Sequence, residues 1–207
     1  MKILIFDTET TGLPRIRAMD PYKSGRNWPD LVSICWIILE SAGPSDLPHT
    51  SSIEIKRRYA LIRPDGWTIP EESTKIHGIT HEKATREGED MRPVLADFKK
   101  DLEESRWVIA HNLEFDRNVM INAYYWRLRD DPMRFWDKSK EFCSMLQASQ
   151  EFNIRGANGK LKWPRLDDMY ERTCGRPAPQ GAHNAERDVD VLREVVCIRW
   201  FDSLTIE

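Results

Sequence analysis

Four consecutive apolar residues, Ile3-Leu4-Ile5-Phe6, run straight into an acid, Asp7, and a second acid, Glu9, follows two positions later. A compact apolar run of this kind reads as a buried strand. Side chains two apart on a strand point the same way, so this strand delivers two carboxylates to one spot. Neighbouring carboxylates repel and drive one pKa up unless a cation sits between them, and a hard divalent ion with oxygen ligands resolves the conflict. In the continuation Thr10-Thr11-Gly12-Leu13, Gly12 allows a tight turn or the close approach of a ligand to the backbone. Taken alone, the motif fits a surface turn with solvated acids equally well.

Elements of both kinds follow that strand. Residues 31–39 are rich in Ile, Val and Trp and read as a second strand; residues 53–62 alternate, with Ile53, Ile55, Tyr59 and Leu61 at odd positions, as in a half-buried strand. Residues 14–30, punctuated by Pro, Gly, Asn and Asp, form a long connection, a length that points to function or mobility. Val94, Leu95, Phe98 and Leu102 recur at helical spacing. The pattern then predicts a strand over 107–110, a helix over 115–128, a fifth strand over 142–146 and a short helix over 166–173 stopped by Gly175. A last helix over 184–200 carries Ala185, Val189, Leu192, Val196 and Arg199 on one stripe. Strands first, then alternation of strand and helix, predicts an α/β fold: a mixed sheet with helices on its faces. The length, 207 residues, suits a single domain over 1–207.

Composition narrows the function classes. The longest apolar run, 31–39, is broken by Ser33 and falls far short of the roughly 20 residues a membrane span needs. The run 3–6 is too short for a signal-peptide core, so a cytosolic or nuclear protein with no membrane partner is expected. None of the four cysteines lies in a C-x-x-C pair, which argues for buried small side chains in a reducing compartment over zinc or redox motifs. The net charge of −3 argues against capture of nucleic acid by bulk charge and leaves locally confined phosphate binding. The basic clusters at Arg15/Arg17, Lys56-Arg57-Arg58 and 155–165 read as solvated faces.

Two further acidic motifs stand later in the chain. His111-Asn112-Leu113-Glu114-Phe115-Asp116 follows the strand at 107–110 directly. Asn112 is placed to cap the next helix through its side-chain oxygen, which leaves Asp116 just past the first turn. Glu114 and Asp116 compete as ligands, and acids at a helix start are favoured by the macrodipole in any case. His183-Asn184-Ala185-Glu186-Arg187-Asp188 opens the last helix. A spacing of five puts two helical residues about 140° apart, so His183 belongs in the loop and Asp188 on the helix.

Together, Asp7-x-Glu9, Asp116 and His183-x-x-x-x-Asp188 resemble motifs I, II and III of the DnaQ-like 3′→5′ exonucleases, in the DEDDh subgroup of the RNase H-like superfamily. Residues 75–80 (KIHGIT) and 162–166 (KWPRL) resemble stretches of the same family between motifs I and II and before motif III. The resemblance implies an RNase H-like fold with a five-stranded mixed sheet flanked by helices. It also implies two divalent cations, Mg²⁺ or Mn²⁺, held by Asp7, Glu9, Asp116 and Asp188, with His183 as general base and nucleoside 5′-monophosphates as products. It places Thr10, Thr11, Gly12, Leu13, His77, Asn112 and Phe115 at the terminal nucleotide, with Leu13 as a wedge and His77 and Phe115 lining the base pocket. The implied partner is a single-stranded or frayed 3′ end, with room for a separate polymerase or nucleic-acid-processing complex. Residues 14–30 and 127–140 have unusual local sequence for the family, which leaves substrate preference open between DNA and RNA. Two rival readings are a catalytically silent module that grips 3′ ends or a polymerase, and a related nuclease that cuts internally; all four acids and the histidine are present, which favours end-trimming.

Overall fold

The structure, a computed structural model, describes residues 1–42, 51–156 and 158–205. Its centre is a five-stranded sheet in the order β3-β2-β1-β4-β5. The strands are β1 (Lys2–Thr10), β2 (Leu31–Ala42), β3 (Ser51–Leu61), β4 (Trp107–Ala110) and β5 (Glu141–Cys143). β2 runs antiparallel to both β1 and β3, whereas β4 is parallel to β1 and β5 to β4. The expected mixed sheet flanked by helices is therefore the one observed. The chain leaves β1 toward β2 on one side, and β4 continues toward β5 on the other. The carboxyl ends of β1 and β4 thus flank a topological switch point, where open α/β sheets form a crevice.

Alternation along β1 builds two cores. Leu4 and Phe6 face one way and pack with Ile34 and Trp36 of β2 against α3 (Met91–Glu104) and α4 (Leu113–Ile121). Ile3 and Ile5 face the other way and pack with Cys35 and Ile37 against α7 (Ala185–Arg199), through Val189, Leu192 and Val196. Burial on both faces is why the strand reads as one unbroken apolar run. Phe98 of α3 is the hub of the first core: its ring meets Phe6 at 5.3 Å, Trp36 at 5.5 Å and Trp136 at 6.1 Å between centroids. On the stripe expected for α7, Ala185, Val189, Leu192 and Val196 are buried, while Arg199 lies at the surface paired with Glu151 at 2.8 Å.

Several elements differ from the sequence reading. β1 runs three residues beyond Asp7, so both acids lie within the strand. The helix read over 115–128 begins at Leu113 and changes to π-helical turns over Asn122–Leu128. Asn112 does not cap it through its side chain: the residue takes a left-handed backbone, φ 66°, and makes no side-chain capping bond. The strand read over 142–146 stops at Cys143, because α5 (Ser144–Phe152) starts at the next residue. Short helices α1 (Glu71–His77), α2 (His81–Glu87) and α8 (Phe201–Thr205) were not expected, whereas α6 (Leu166–Cys174) ends at Gly175 as read. Among the described residues, no helix is long and apolar enough to cross a membrane.

The connection over 14–30 is tied down along its length. The Trp28 indole donates to Met19 O at 2.9 Å and the Trp126 indole to Pro21 O at 2.8 Å. Tyr22 and Tyr125 meet edge to face at 5.1 Å. Asn122 donates to the carbonyls of Trp28 and Pro29, so the helical stretch 113–128 serves as the loop's bed. Truncating the central ring should be the sharpest insult to this packing. Phe98→Ala is expected to lower the unfolding free energy by about 3–5 kcal/mol in urea titrations, the range for a buried phenylalanine cut to alanine. A loss within error of zero would show that the first core does not depend on this ring.

Candidate active site

β4 is shorter than β1, and that mismatch makes the site. Their pairing ends at Ile5↔Ile109, whereas β1 continues alongside β2 with Asp7↔Cys35, Thr8↔Ile34 and Glu9↔Ser33. The β4-side edge of β1 is therefore unpaired from Asp7 onward, and the first turns of α4 and α7 converge on it. Asp7 and Glu9 share the face of Ile3 and Ile5, toward α7. Asp188, the fourth residue of α7, meets them there: one carboxylate oxygen from each of Asp7, Glu9 and Asp188 lies within 4.8 Å of the other two. Thr8 points to the opposite face, toward α4, and its hydroxyl donates to Asp116 Oδ1 at 2.6 Å. One strand thus gathers acids from both layers. Glu114, the competing acid of the second motif, is exposed and lies outside this cavity, which leaves Asp116 as the acid that motif brings to it. A register shift between Glu9 and Thr10 then bends the strand into the Gly12 turn. There Gly12 has φ 137°, a conformation that L side chains avoid.

The third motif has the geometry its spacing demands. His183 stands in the loop before α7 with φ 63°, and its backbone N–H donates to Asp188 Oδ2 at 3.0 Å. The Asn184 side chain caps α7, accepting from the N–H groups of Glu186 and Arg187 at 3.1 Å each. Arg187, to which no role was assigned from sequence, ties the corner together. Its Nη1 reaches Asp188 Oδ1 at 2.6 Å and Asp167 Oδ1 at 2.7 Å, and its Nε donates to Pro179 O at 2.9 Å. The loop bearing His183, the start of α6 and the start of α7 are thereby held by one guanidinium.

A cavity of about 450 Å³ opens over the acids. Thr10, Gly12, Leu13, His77, Asn112, Phe115 and His183 all line it, as do Ile76 and Arg165, which were not expected. Leu13 is 82% exposed at the mouth, the posture of a side chain that meets something from solution. Thr11 is turned away: its N–H donates to Asp30 O at 3.0 Å and its hydroxyl accepts from the Asp30 N–H at 2.9 Å. His77 Nδ1 accepts from the Ile79 N–H at 3.1 Å and orders the turn after α1, while its buried Nε2 has no hydrogen-bond partner among the described residues. Burial first, then the proximity of His183, hold the His77 ring below its usual pKa against a backbone interaction with Thr10. His111 is a structural bridge, with Nε2 donating to Pro164 O at 3.0 Å and Nδ1 3.0 Å from Ser144 Oγ. Burial pushes His111 down to about 4, so the ring is neutral at pH 7.

The four acids are held in a strained electrostatic state. Burial, then repulsion from Asp116, Asp188 and Glu9, raises Asp7 well above the usual carboxylate range. Burial and the charges of Asp188 and Asp116 bring Glu9 to about 8. Burial brings Asp116 to about 7 despite the Thr8 hydrogen bond, and burial also raises Asp188, opposed by Arg187. A carboxylate whose folded pKa exceeds its unfolded one makes the native state bind extra protons. Its contribution to stability is then present below the unfolded value near 4 and lost as pH rises through the folded value. Without divalent cations, the melting temperature should therefore fall as pH rises from about 5 to about 8, the window set by the Asp116 and Glu9 values. Glu9→Gln should flatten that fall; a wild-type profile that is flat or rises with pH in chelator would contradict this account of the cluster.

Comparison with known proteins agrees with the geometry. The model of the RNase T family, described as exonuclease, matches residues 4–196. No curated protein is similar enough in sequence to count as a match. Among solved structures, an exonuclease I superposes with a TM-score of 0.67 at 18% identity, over 98% of this chain and 42% of its own. E. coli exonuclease I in complex with a dT13 oligonucleotide gives 0.66 at 19%, over 96% and 41%. Exonuclease X in complex with 5′-overhanging duplex DNA gives 0.59 at 20%, over 94% and 89%. This chain thus spans about two fifths of the exonuclease I chains and most of exonuclease X. At these identities the superpositions speak to the fold, which is the RNase H-like one, and the family match carries the assignment. The chain therefore belongs to the RNase T family of exonucleases, of the DnaQ-like type.

Proposed function

We propose that this chain hydrolyses nucleic acid from the 3′ end one nucleotide at a time, with Asp7, Glu9, Asp116 and Asp188 as the ligands of two divalent cations. The observation that carries the reading is the convergence of Asp7, Glu9 and Asp188 oxygens within 4.8 Å, with Asp116 brought to the same strand by Thr8. An all-carboxylate donor set suits Mg²⁺ or Mn²⁺, and burial that resists ionisation is the environment in which a cation is bound most favourably. When bound, such ions supply an activated water and charge neutralisation at the leaving 3′-oxygen.

The protein's own groups do the rest. His183 accepts the proton of the attacking water; it lines the cavity and its backbone is fixed to Asp188, so the base is tethered to the acid it serves. Leu13, His77 and Phe115 line the space for the terminal base, where stacking on an aromatic contributes about 1–3 kcal/mol per base. Thr10 and Gly12 offer backbone at the turn for the terminal sugar and phosphate. A single strand or frayed end is the favoured substrate. In support, E. coli exonuclease I has been solved with dT13 and with dA16 oligonucleotides.

A 5′-labelled oligonucleotide incubated with Mg²⁺ or Mn²⁺ should yield a ladder of single-nucleotide steps with release of nucleoside 5′-monophosphates. Asp188→Asn should abolish cleavage while remaining folded, and His183→Ala should lose about 10²–10⁴ in kcat with little change in Mn²⁺ affinity. Internal fragments in place of a ladder, or near wild-type turnover in folded Asp188→Asn, would overturn the proposal.

A further inference from the structure

A second concavity, of about 550 Å³, lies at the same end of the sheet and has no part in the chemistry above. Its walls come from the turn after β3 (Arg63, Trp67), the start of α3 (Arg92) and the end of the π-helical stretch (Trp126, Arg127, Arg129). Four guanidinium groups there face two carboxylates, Asp65 and Asp90. Arg127 is held by Asp30 at 2.6 Å, and Arg63 donates to Gly88 O at 2.7 Å. Arg92 and Arg129 are exposed, and neither side chain has an ion-pair or hydrogen-bond partner among the described residues.

Three features make this a built surface. Arg129 has φ 60° at the end of a helical stretch, where glycine would sit without strain, yet the chain presents a long cation there. Trp126 is immobilised: its indole N–H is bonded to Pro21 O, and its ring lies so close to Gly25 that an added Cβ would come within 2.6 Å of it. Asp30 ties the groove's wall to the chain that enters the Gly12 turn: its carboxylate holds Arg127 and its backbone holds Thr11.

We propose that this groove binds single-stranded nucleic acid, namely the stretch of the substrate strand upstream of the 3′ terminus being removed. Arg92 and Arg129 take phosphates, and the fixed indole wall takes a base, the combination that holds single strands without reading sequence. An acidic peptide would also meet the arginines, but the indole wall favours a strand whose bases stack on it. The inference rests on the 3′-end reading and assigns where the rest of that strand lies.

The test compares wild type with Arg92→Ala/Arg129→Ala, using anisotropy of a fluorescein-labelled 20-nucleotide oligo(dT) without divalent cations, across a salt series. The double variant should bind about tenfold or more weakly. The slope of log affinity against log salt should shrink by about 1.4, or about 0.7 for each phosphate of a single strand that is no longer neutralised. The KM for that oligonucleotide should rise with kcat preserved, and hydrolysis of a nitrophenyl ester of thymidine 5′-monophosphate should be unchanged. Arg92→Lys/Arg129→Lys should recover the salt slope. Equal affinity and slope in wild type and the alanine variant would overturn the proposal. So would arginine-dependent binding of a polyglutamate peptide by a protein whose oligonucleotide affinity ignores the same arginines. Failure of wild type to cleave either the ester or the oligonucleotide would defeat the nuclease reading instead, since anisotropy reports on the groove alone.

Discussion

Four carboxyl groups gathered by burial at the unpaired edge of β1 are the constraint that the rest of the structure accommodates. Asp7, Glu9, Asp116 and Asp188 come from three elements and two core layers, and every one of them is raised by burial. Packing elsewhere must hold them together, because nothing in their mutual interaction does. The strand that carries two of them is anchored by four fully buried apolar residues, Ile3 to Phe6, and α7 is anchored by its own apolar stripe. The two cores are thus the source of stability that an assembly of repelling acids requires, in the sense that strain at functional sites is supported from elsewhere.

The neutralising groups within reach are few and specifically placed. Thr8 supplies a hydroxyl to Asp116, the His183 backbone supplies an N–H to Asp188, and Arg187 shares one nitrogen between Asp188 and Asp167. Arg187 also reaches Pro179, so the same side chain fixes the His183 loop. These interactions orient the acids without satisfying the electrostatic demand of the cluster, and among the described residues neither Asp7 nor Glu9 forms an ion pair with a cationic side chain. That asymmetry is what a cation-binding site looks like before its ions are considered.

How far the sequence alone reaches follows from the range of the interactions. Local patterns were sufficient for β1, β4, α3, α6 and α7, because burial on fixed faces imprints a period on the chain. The same holds for the placement of His183 off the helix and Asp188 on it. Short helices such as α1 and α2 leave no such imprint, since α1 buries only Ser73 and α2 only Ala84. The Cys143–Ser144 boundary was missed because Phe142, Met145 and Leu146 form an apolar cluster across a strand-to-helix change. Asn112 suits a cap by residue type, but here tertiary constraints place its backbone in the left-handed region. In the site, the acids two apart in β1 and the spacing of five between His183 and Asp188 announced themselves. The Thr8–Asp116 bond joins residues 108 apart, and the Arg187–Asp167 ion pair joins two helices, so neither is visible in the chain as a string.

Family membership and fold say that this is an exonuclease scaffold; the physical argument says what the scaffold is for. On the proposed reading, a divalent cation displaces protons held on buried carboxylates, Glu9 among them. Calorimetric titration of Mn²⁺ near pH 7, in two buffers of different ionisation enthalpy, measures that displacement directly. The account predicts saturable binding with net release of about one proton per protein, because Glu9, brought to about 8, holds its proton at that pH in the metal-free state. Binding with no proton release, or no binding to the folded protein, would contradict it.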